Sequence, residues 1–116
     1  MTELQADLHI HTTASDGEMS PSQVVSTASE RGLAAVAITD HDTVAGVDEA
    51  LAAAKALALE VVPAVEISTI FDEDVEVHVI GYFVDHKSSE LLELFETMQR
   101  SRFERARKMV DKLNSI

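Results

Sequence analysis

The sequence predicts an α/β domain whose elements follow the order βαβαββ and end in one long helix. Three observations support this fold class. Short apolar runs alternate with segments of helical periodicity, turn-forming residues separate the two kinds of segment, and 116 residues suit a single small domain. A strand, a helix and a second strand in succession imply parallel pairing with right-handed connections.

The first third of the chain predicts one strand and one helix. Gln5–Ile10 is the first predicted strand, and the turn-rich loop TTASDGEMSP follows it. Ser20 suits an N-cap because its hydroxyl can accept a backbone N–H, and Pro21 fits the first helical position. We expect this helix to end near Arg31, where Gly32 provides a stop signal.

The middle of the chain predicts two strands and the helix between them. The apolar run Leu33–Thr39 predicts a strand that is buried on both faces. Thr43 is expected to cap a second helix over the Ala-rich residues 47–59, whose composition favours helix. Val61–Thr69 predicts a third strand, in which Pro63 indicates a sheet edge or a bulge near the start.

The last third predicts one more strand and a helix of different character. Glu76–Val84 follows the acidic loop FDEDV as a fourth strand, and a helix is expected from about Ser88 to Asn114. This gives two regions, residues 1–87 and 88–116. Basic residues crowd the helix at Arg100, Arg102, Arg105, Arg107, Lys108 and Lys112. The simplest explanation of these basic residues is a solvent-exposed helix face on which they pair with Glu104 and Asp111. The alternative is that they contact a phosphate group.

Composition limits the possible functions. The formal net charge is -12, and residues 1–89 contain sixteen acidic but only three basic residues. This balance disfavours bulk DNA binding by that part of the chain. The absence of Cys is compatible with a reducing cytoplasm, and no apolar stretch approaches the ~20 residues of a membrane span. We therefore expect a cytoplasmic protein that is not embedded in a membrane.

Histidine and carboxylate side chains recur near the ends of the predicted strands. Alternate residues of a strand share a face, so Asp7, His9 and His11 are expected to point the same way. Ligands of α/β folds bind at the carboxyl ends of the strands. The other candidates near that edge are Asp16 in the first loop, Asp40, His41 and Asp42 after the second strand, Glu66 near the end of the third strand and His78 on the fourth.

This set of donors indicates a metal site. Carboxylates that lie together without a compensating charge repel one another, and divalent cations remove that penalty. Imidazole and carboxylate ligands without thiolate suit Zn, Mn or Fe and do not choose among them. Such ions lower the pKa of bound water toward ~7 and supply a hydroxide nucleophile, so metal-assisted hydrolysis is the expected reaction class. His86 is interpreted as a structural residue outside the site.

Four segments occur in order over residues 7–82: DLHIHT followed by Asp16, then ITDHD, PAVEIST and EVHVIGY. Together they resemble the successive motifs of the PHP superfamily, named for polymerase and histidinol phosphatase domains. The resemblance implies the N-terminal part of a distorted (β/α)7 barrel whose complete site holds up to three metal ions and hydrolyses phosphoesters. The motifs are most similar to those of phosphoesterases that act on nucleoside 3',5'-bisphosphates and short oligoribonucleotides.

Carried over by position, the resemblance implies six metal ligands. His9 and His11 would hold a first ion with Glu66, and Glu66 would bridge to a second ion that His78 also binds. The remaining ion would be held by Asp16 and His41. Three more carboxylates would lie behind the ligands and orient imidazoles or bound water, namely Asp7, Asp40 and Asp42. The expected catalytic group is a metal-bound hydroxide, and no side chain is assigned as a general base.

The sequence also departs from the family pattern. Such phosphoesterases are usually much longer, and their chains supply a further His and an Asp-x-His pair downstream, whereas no histidine follows His86 here. The sequence therefore resembles the first half of an enzyme, with part of the active site missing and a final helix that begins an inserted helical region. An open sheet edge in such a half-barrel favours self-association or marginal stability.

Two other interpretations remain open at this stage. A metal-stabilised module with a structural or proofreading role beside a polymerase would show the same motifs, although all six N-terminal ligand positions are filled, which favours a phosphoesterase. An α/β domain whose histidines are structural would bind no metal. The expected partner of the phosphoesterase is a small phosphorylated nucleotide or an RNA end.

Overall fold

A computed structural model describes residues 3–116 in two compact units. The first unit extends to His86 and contains four strands and two helices, and the second is Lys87–Ile116. The elements are β1 (Ala6–Ile10), α1 (Pro21–Glu30), β2 (Ala35–Ile38), α2 (Val47–Ala54), β3 (Glu60–Phe71), β4 (Val75–Tyr82) and α3 (Ser89–Asn114). This order confirms the predicted βαβαββ pattern and the final helix.

The four strands form one mixed sheet in the order β1-β2-β3-β4. β1 and β2 are parallel, β2 and β3 are parallel, and β3 and β4 form an antiparallel hairpin. The Tyr82 hydroxyl on β4 donates a hydrogen bond of 2.8 Å to the Leu8 carbonyl on β1. Because these are the two outer strands, the contact shows that the sheet curls, and the predicted α/β half-barrel is confirmed.

The apolar core lies between the two helices and one face of the sheet. Alternate residues of β2 point to opposite faces, and Val36 and Ile38 pack with the helix residues Val24, Val25 and Ala50. The other face carries a smaller cluster of Ala37, Val62 and Ala64. The last three of the four residues of β2 are buried, which confirms the prediction of a strand covered on both faces.

The start of α1 follows from its sequence. The Ser20 side chain accepts a hydrogen bond of 3.2 Å from the Gln23 N–H, and the Gln23 side chain accepts one of 2.8 Å from the Ser20 N–H. This reciprocal pair is a capping box, and Pro21 occupies the first turn as predicted. The helix ends at Glu30, and Gly32 follows with a φ of 75°, a conformation that glycine adopts at little cost.

The prediction that Thr43 caps α2 is wrong. The Thr43 hydroxyl accepts a hydrogen bond of 3.1 Å from the Ala45 N–H, and Gly46 is the N-cap without a side-chain hydrogen bond. The helix is also shorter than predicted, because it ends at Ala54 rather than near residue 59. Leu59 is buried in the core, and Glu60 begins the next strand. The high helix propensity of residues 55–59 is therefore outweighed by tertiary packing, because Leu59 joins the core and β3 begins directly after it.

Pro63 ends the part of β3 that pairs with β2, before the pairing with β4 begins, so one side of the strand is a local sheet edge there, as predicted, and the β2–β3 pairing shows no bulge. β3 lies between β2 and β4, and its pairing with β2 is regular from Glu60 to Pro63. The Pro63 carbonyl accepts a hydrogen bond of 3.2 Å from the Val84 N–H. The Pro63 nitrogen faces the same side of β3 as the Pro63 carbonyl. It lies just beyond Ala64, whose pair with Tyr82 is the last of the β3–β4 pairs. The lack of an N–H at Pro63 therefore removes no hydrogen bond between β3 and β4.

The second unit consists mainly of α3. The Ser88 side chain caps this helix by accepting a hydrogen bond of 3.3 Å from the Leu91 N–H. Arg100 forms an ion pair of 3.1 Å with Glu96 one turn earlier. Within residues 3–116, no helix combines the length and apolarity that crossing a membrane requires.

Replacing Ser20 with Ala should lower the free energy of unfolding by ~1 kcal/mol, because the Gln23 N–H loses its capping acceptor. Urea denaturation followed by circular dichroism, with a chelator present, measures the change. Ser26→Ala is the matched control, since Ser26 lies exposed inside the same helix, where Ala is a better helix former. Equal destabilisation by both substitutions would contradict the capping argument.

Candidate metal centre

Glu66 lies at the middle of the candidate site. It is the seventh residue of β3, on the same face as Val62 and Ala64, and it pairs with Ile80 across the hairpin. Its side chain is only 5% exposed. The sequence placed Glu66 near the end of the third strand, but β3 continues beyond the parallel pairing into the hairpin, so Glu66 lies in its interior.

Four imidazoles surround the Glu66 carboxylate. Its Oε1 contacts the Nε2 atoms of His9 and His11, the latter at 3.1 Å. Its Oε2 contacts Nδ1 of His78 at 2.8 Å and Nδ1 of His41 at 3.4 Å. These histidines come from β1, the segments that follow β1 and β2, and β4. The curled sheet therefore gathers groups that are far apart in the sequence.

Asp16 forms the second carboxylate of the cluster. Its Oδ1 lies 2.8 Å from Nδ1 of His11, and its Oδ2 lies 3.5 Å from Nε2 of His41. Gly17 makes this turn possible, because a Cβ on Gly17 would lie 2.3 Å from the His11 carbonyl oxygen. Only glycine fits at such a close approach of two backbone segments. The six predicted ligand positions are therefore in mutual contact through Glu66 and Asp16.

The chemistry of these donors fits metal ions. His11, His41 and His78 each direct both ring nitrogens at carboxylate oxygens. A neutral imidazole has one N–H and one lone pair, so it can donate to one of the two carboxylates only. An ion between the lone pair and the other carboxylate satisfies both. Two atoms bound to one ion at ~2.1 Å lie roughly 3.0–3.4 Å apart, close to most of the separations found here.

Three overlapping groups of ligand atoms could each hold an ion. Within each group the atoms lie within 4.8 Å of one another. The groups are His9, His11 and Glu66; His11, Asp16 and His41; and His41, Glu66 and His78. They share His11, His41 and Glu66, so the geometry permits neighbouring ions that use common ligands.

The imidazoles favour the ionised forms of both carboxylates. Desolvation acts to raise the pKa of Glu66, but hydrogen bonds from His9, His11 and His78 outweigh it and lower that pKa below its usual value. Desolvation also acts to raise the pKa of Asp16, but the hydrogen bond from His11 and the charges of His11 and His41 together outweigh it and lower that pKa. The pKa of His78 is raised by hydrogen bonds to Glu76 and Glu66.

β1 has an irregularity next to the first two histidines. The pairing of β1 with β2 shifts register between Asp7 and Ile10. The Thr39 hydroxyl bridges this gap, because it accepts a hydrogen bond of 3.0 Å from the Ile10 N–H and donates one of 3.1 Å to the Ile10 carbonyl. Tyr82 binds the Leu8 carbonyl on the other side. Neither Thr39 nor Tyr82 was singled out from the sequence.

The three carboxylates expected behind the ligands contact the backbone around them. Asp7 accepts a hydrogen bond of 3.2 Å from the His9 N–H. Asp42, which has a φ of 52°, accepts one of 2.8 Å from the Ser68 N–H. Their expected effect on imidazoles or bound water stays a prediction.

Asp40, like Asp42, is almost completely buried, at 1% exposed. It accepts hydrogen bonds from the Thr12 N–H at 2.6 Å, the Thr12 hydroxyl at 2.8 Å and the Ser15 hydroxyl at 2.7 Å. These partners belong to the loop between His11 and Asp16. Asp40 therefore supports the loop that carries Asp16, and its expected effect on imidazoles or bound water also stays a prediction.

Two further residues complete the account of the predicted histidines. Glu76, which the sequence analysis missed, lies 3.0 Å from Nε2 of His78. The signal was present, because Glu76 and His78 are two residues apart on a strand and share a face. His86 contacts Asp48 at 3.0 Å and belongs to none of the three ligand groups, which agrees with its interpretation as a residue outside the site.

Comparison with known proteins agrees with these motifs. The family model of the PHP domain matches residues 7–113. The chain is 41% identical over 107 residues to a 5'-3' exoribonuclease of Haemophilus influenzae, with 92% of this chain and 39% of that protein covered. It is 36% identical over 103 residues to the 3',5'-nucleoside bisphosphate phosphatase of Chromobacterium violaceum, with 89% and 36% covered.

A solved structure gives the same result for the fold. A proposed metal-dependent phosphoesterase of Bifidobacterium adolescentis superposes with a TM-score of 0.85 at 36% identity, and the match covers 98% of this chain and 40% of the other. The chain thus spans about two fifths of the length of these three proteins.

Replacing Thr12 with Val should lower the free energy of unfolding by about 1–3 kcal/mol, because one buried oxygen of Asp40 loses its hydroxyl donor. Urea denaturation of the metal-free protein measures this loss. The neighbouring Thr13→Val is the matched control, since Thr13 is exposed in the same loop and should change stability much less. A Thr12→Val protein as stable as the wild type would show that the Asp40 network does not support the loop.

Proposed function

The chain belongs to the PHP domain family, and on this premise we propose that it forms part of a metal-dependent phosphoesterase acting on nucleotides or RNA ends. The single observation that carries the proposal is the cluster of four imidazoles and two carboxylates around Glu66 and Asp16. Its donors suit divalent Mn, Zn or Fe, with up to three ions in a complete family site.

The assignment of ligands follows the three groups of side chains. His9, His11 and Glu66 would hold one ion. Glu66 and His78 would hold a second ion, and His41 lies close enough to join them. Asp16 and His41 would hold a third ion, and His11 lies close enough to join them. The lowered pKa of the buried Glu66 favours its ionised form, so its carboxylate would serve both groups without first losing a proton. When bound, the ions act as Lewis acids on phosphoryl oxygens and activate water.

The acidic character of the chain indicates that a phosphate group could bind only when cations occupy the site. The first 89 residues contain sixteen acidic and three basic residues, which repel a phosphate dianion. Ions in the site would reverse this charge locally. Glu66 forms the floor of the site at 5% exposed, whereas His9 is 58% and Asp16 62% exposed. A substrate would thus approach from the side of these two residues.

The substrate class follows from relatives with different names. One is named as an exoribonuclease and another as a nucleoside bisphosphate phosphatase. Both names describe hydrolysis of a phosphoester on a nucleotide, and we extend that chemistry to this chain. Because the chain spans about two fifths of their length, we expect it to be weakly active by itself.

The proposal is tested by phosphate release from adenosine 3',5'-bisphosphate in the presence of Mn²⁺ or Zn²⁺. We expect slow release that requires both the ion and the chain. Glu66→Gln should abolish it, because one neutral amide oxygen cannot bridge two cations as a carboxylate does. A 5'-phosphorylated oligoribonucleotide, assayed in parallel, distinguishes the two substrate types.

His86→Ala is the matched control for this assay. It removes an imidazole that contacts Asp48 and lies outside the three ligand groups, so binding of ions and phosphate release should both remain. Equal rates for the wild type and Glu66→Gln would contradict the proposed site. Metal analysis that finds no bound ion after dialysis against Zn²⁺ would contradict it independently of activity.

A further inference from the structure

Glu76 occupies a distinct place beside the candidate metal centre. It lies on β4 two residues before His78, and its Oε1 is 3.0 Å from Nε2 of that imidazole. The other ring nitrogen of His78 faces Glu66 Oε2 at 2.8 Å. None of the three groups of potential ligands includes Glu76. Its carboxylate therefore touches the side of the imidazole that faces away from the cluster.

We propose that Glu76 is a positioning residue that holds His78 with its proton on Nε2 and so presents Nδ1 to a metal ion. The inference rests on the proposed function, since it assigns a role within the same metal site. Neither the motifs nor the comparisons assign this residue.

The physical reason lies in the two tautomers of imidazole. A histidine that binds an ion through Nδ1 must carry its proton on Nε2, and an acceptor at Nε2 favours that form. The acceptor also holds the plane of the ring, because rotation about χ2 of histidine is broad and roughly two-fold. His78 is partly exposed, at 39% of its side chain, so the surrounding protein restrains it less than a buried ring.

The placement of Glu76 also distinguishes it from the second carboxylate of the cluster. Asp16 contacts both His11 and His41 and lies within a ligand group, so it can bind an ion directly. Glu76 contacts a ligand from behind. Carboxylates in that position typically alter metal affinity by 10–100-fold when removed.

The test measures Zn²⁺ affinity of the full chain by competition with a chromophoric chelator. Glu76→Ala should weaken the affinity of the ion bound by His78 and Glu66 by about 10–100-fold. Glu76→Gln should weaken it less, because the amide oxygen still accepts from Nε2–H. Glu73→Ala is the matched control, since it removes the same charge from the exposed turn of the same hairpin. It should change affinity by less than about twofold, as a distant exposed charge is screened.

Two further measurements separate positioning from a general loss of structure. Long-range ¹H–¹⁵N spectra of the Zn²⁺-loaded chain should show His78 protonated at Nε2 in the wild type, and loss of this signature in Glu76→Ala. In a His78→Ala background, adding Glu76→Ala should cause no further loss of affinity, because Glu76 acts through His78.

The outcomes are distinguishable. If Glu76→Ala binds Zn²⁺ as tightly as Glu73→Ala, or weakens it equally in the His78→Ala background, the positioning role is overturned while the metal site stands. If the wild-type chain binds no Zn²⁺, the proposed function fails and this inference fails with it.

Discussion

The carboxylate of Glu66 is buried on the inner face of the sheet, and burying a charge is costly unless partners compensate it. Here the compensation comes from imidazoles on β1, β4 and the segments after β1 and β2. This requirement constrains the whole first unit. β3 must extend beyond its parallel partner to carry Glu66, and β4 must return antiparallel so that His78 lies diagonally across from it. The hairpin is therefore part of the site as well as part of the sheet.

One face of the sheet packs in the apolar core, and the other face carries the candidate metal ligands. Branched apolar side chains on one face pack with α1 and α2, while the small residues Ala37 and Ala64 lie on the other with Val62. Small residues leave room for imidazole rings above the sheet. Buried carboxylates then fix backbone beside the candidate ligands, as Asp40 does for the loop between His11 and Asp16 and Asp42 does for β3 near Glu66. The polar side of the domain is thus a connected network, which rigidifies a site when all its members are satisfied.

Membership of the PHP domain family accounts for the motifs and the curled mixed sheet. The chain spans about two fifths of its relatives, yet six candidate ligands already meet within it. The β3–β4 hairpin leaves Ile70, Phe71 and Val79 exposed. Self-association through an open sheet edge, a cytoplasmic location and a phosphate-binding role for the basic residues of α3 stay predictions.

The sequence by itself determined the features that depend on neighbouring residues. The cap and stop of α1 and the buried run of β2 follow from local hydrogen bonding and the pattern of apolar residues. Tertiary structure decided what depends on pairing between distant segments. The end of α2, the place of Pro63 and the interior position of Glu66 all follow from strand pairing. Register depends on which strands pair with one another, and the sequence alone does not contain the distances between residues that are far apart along the chain.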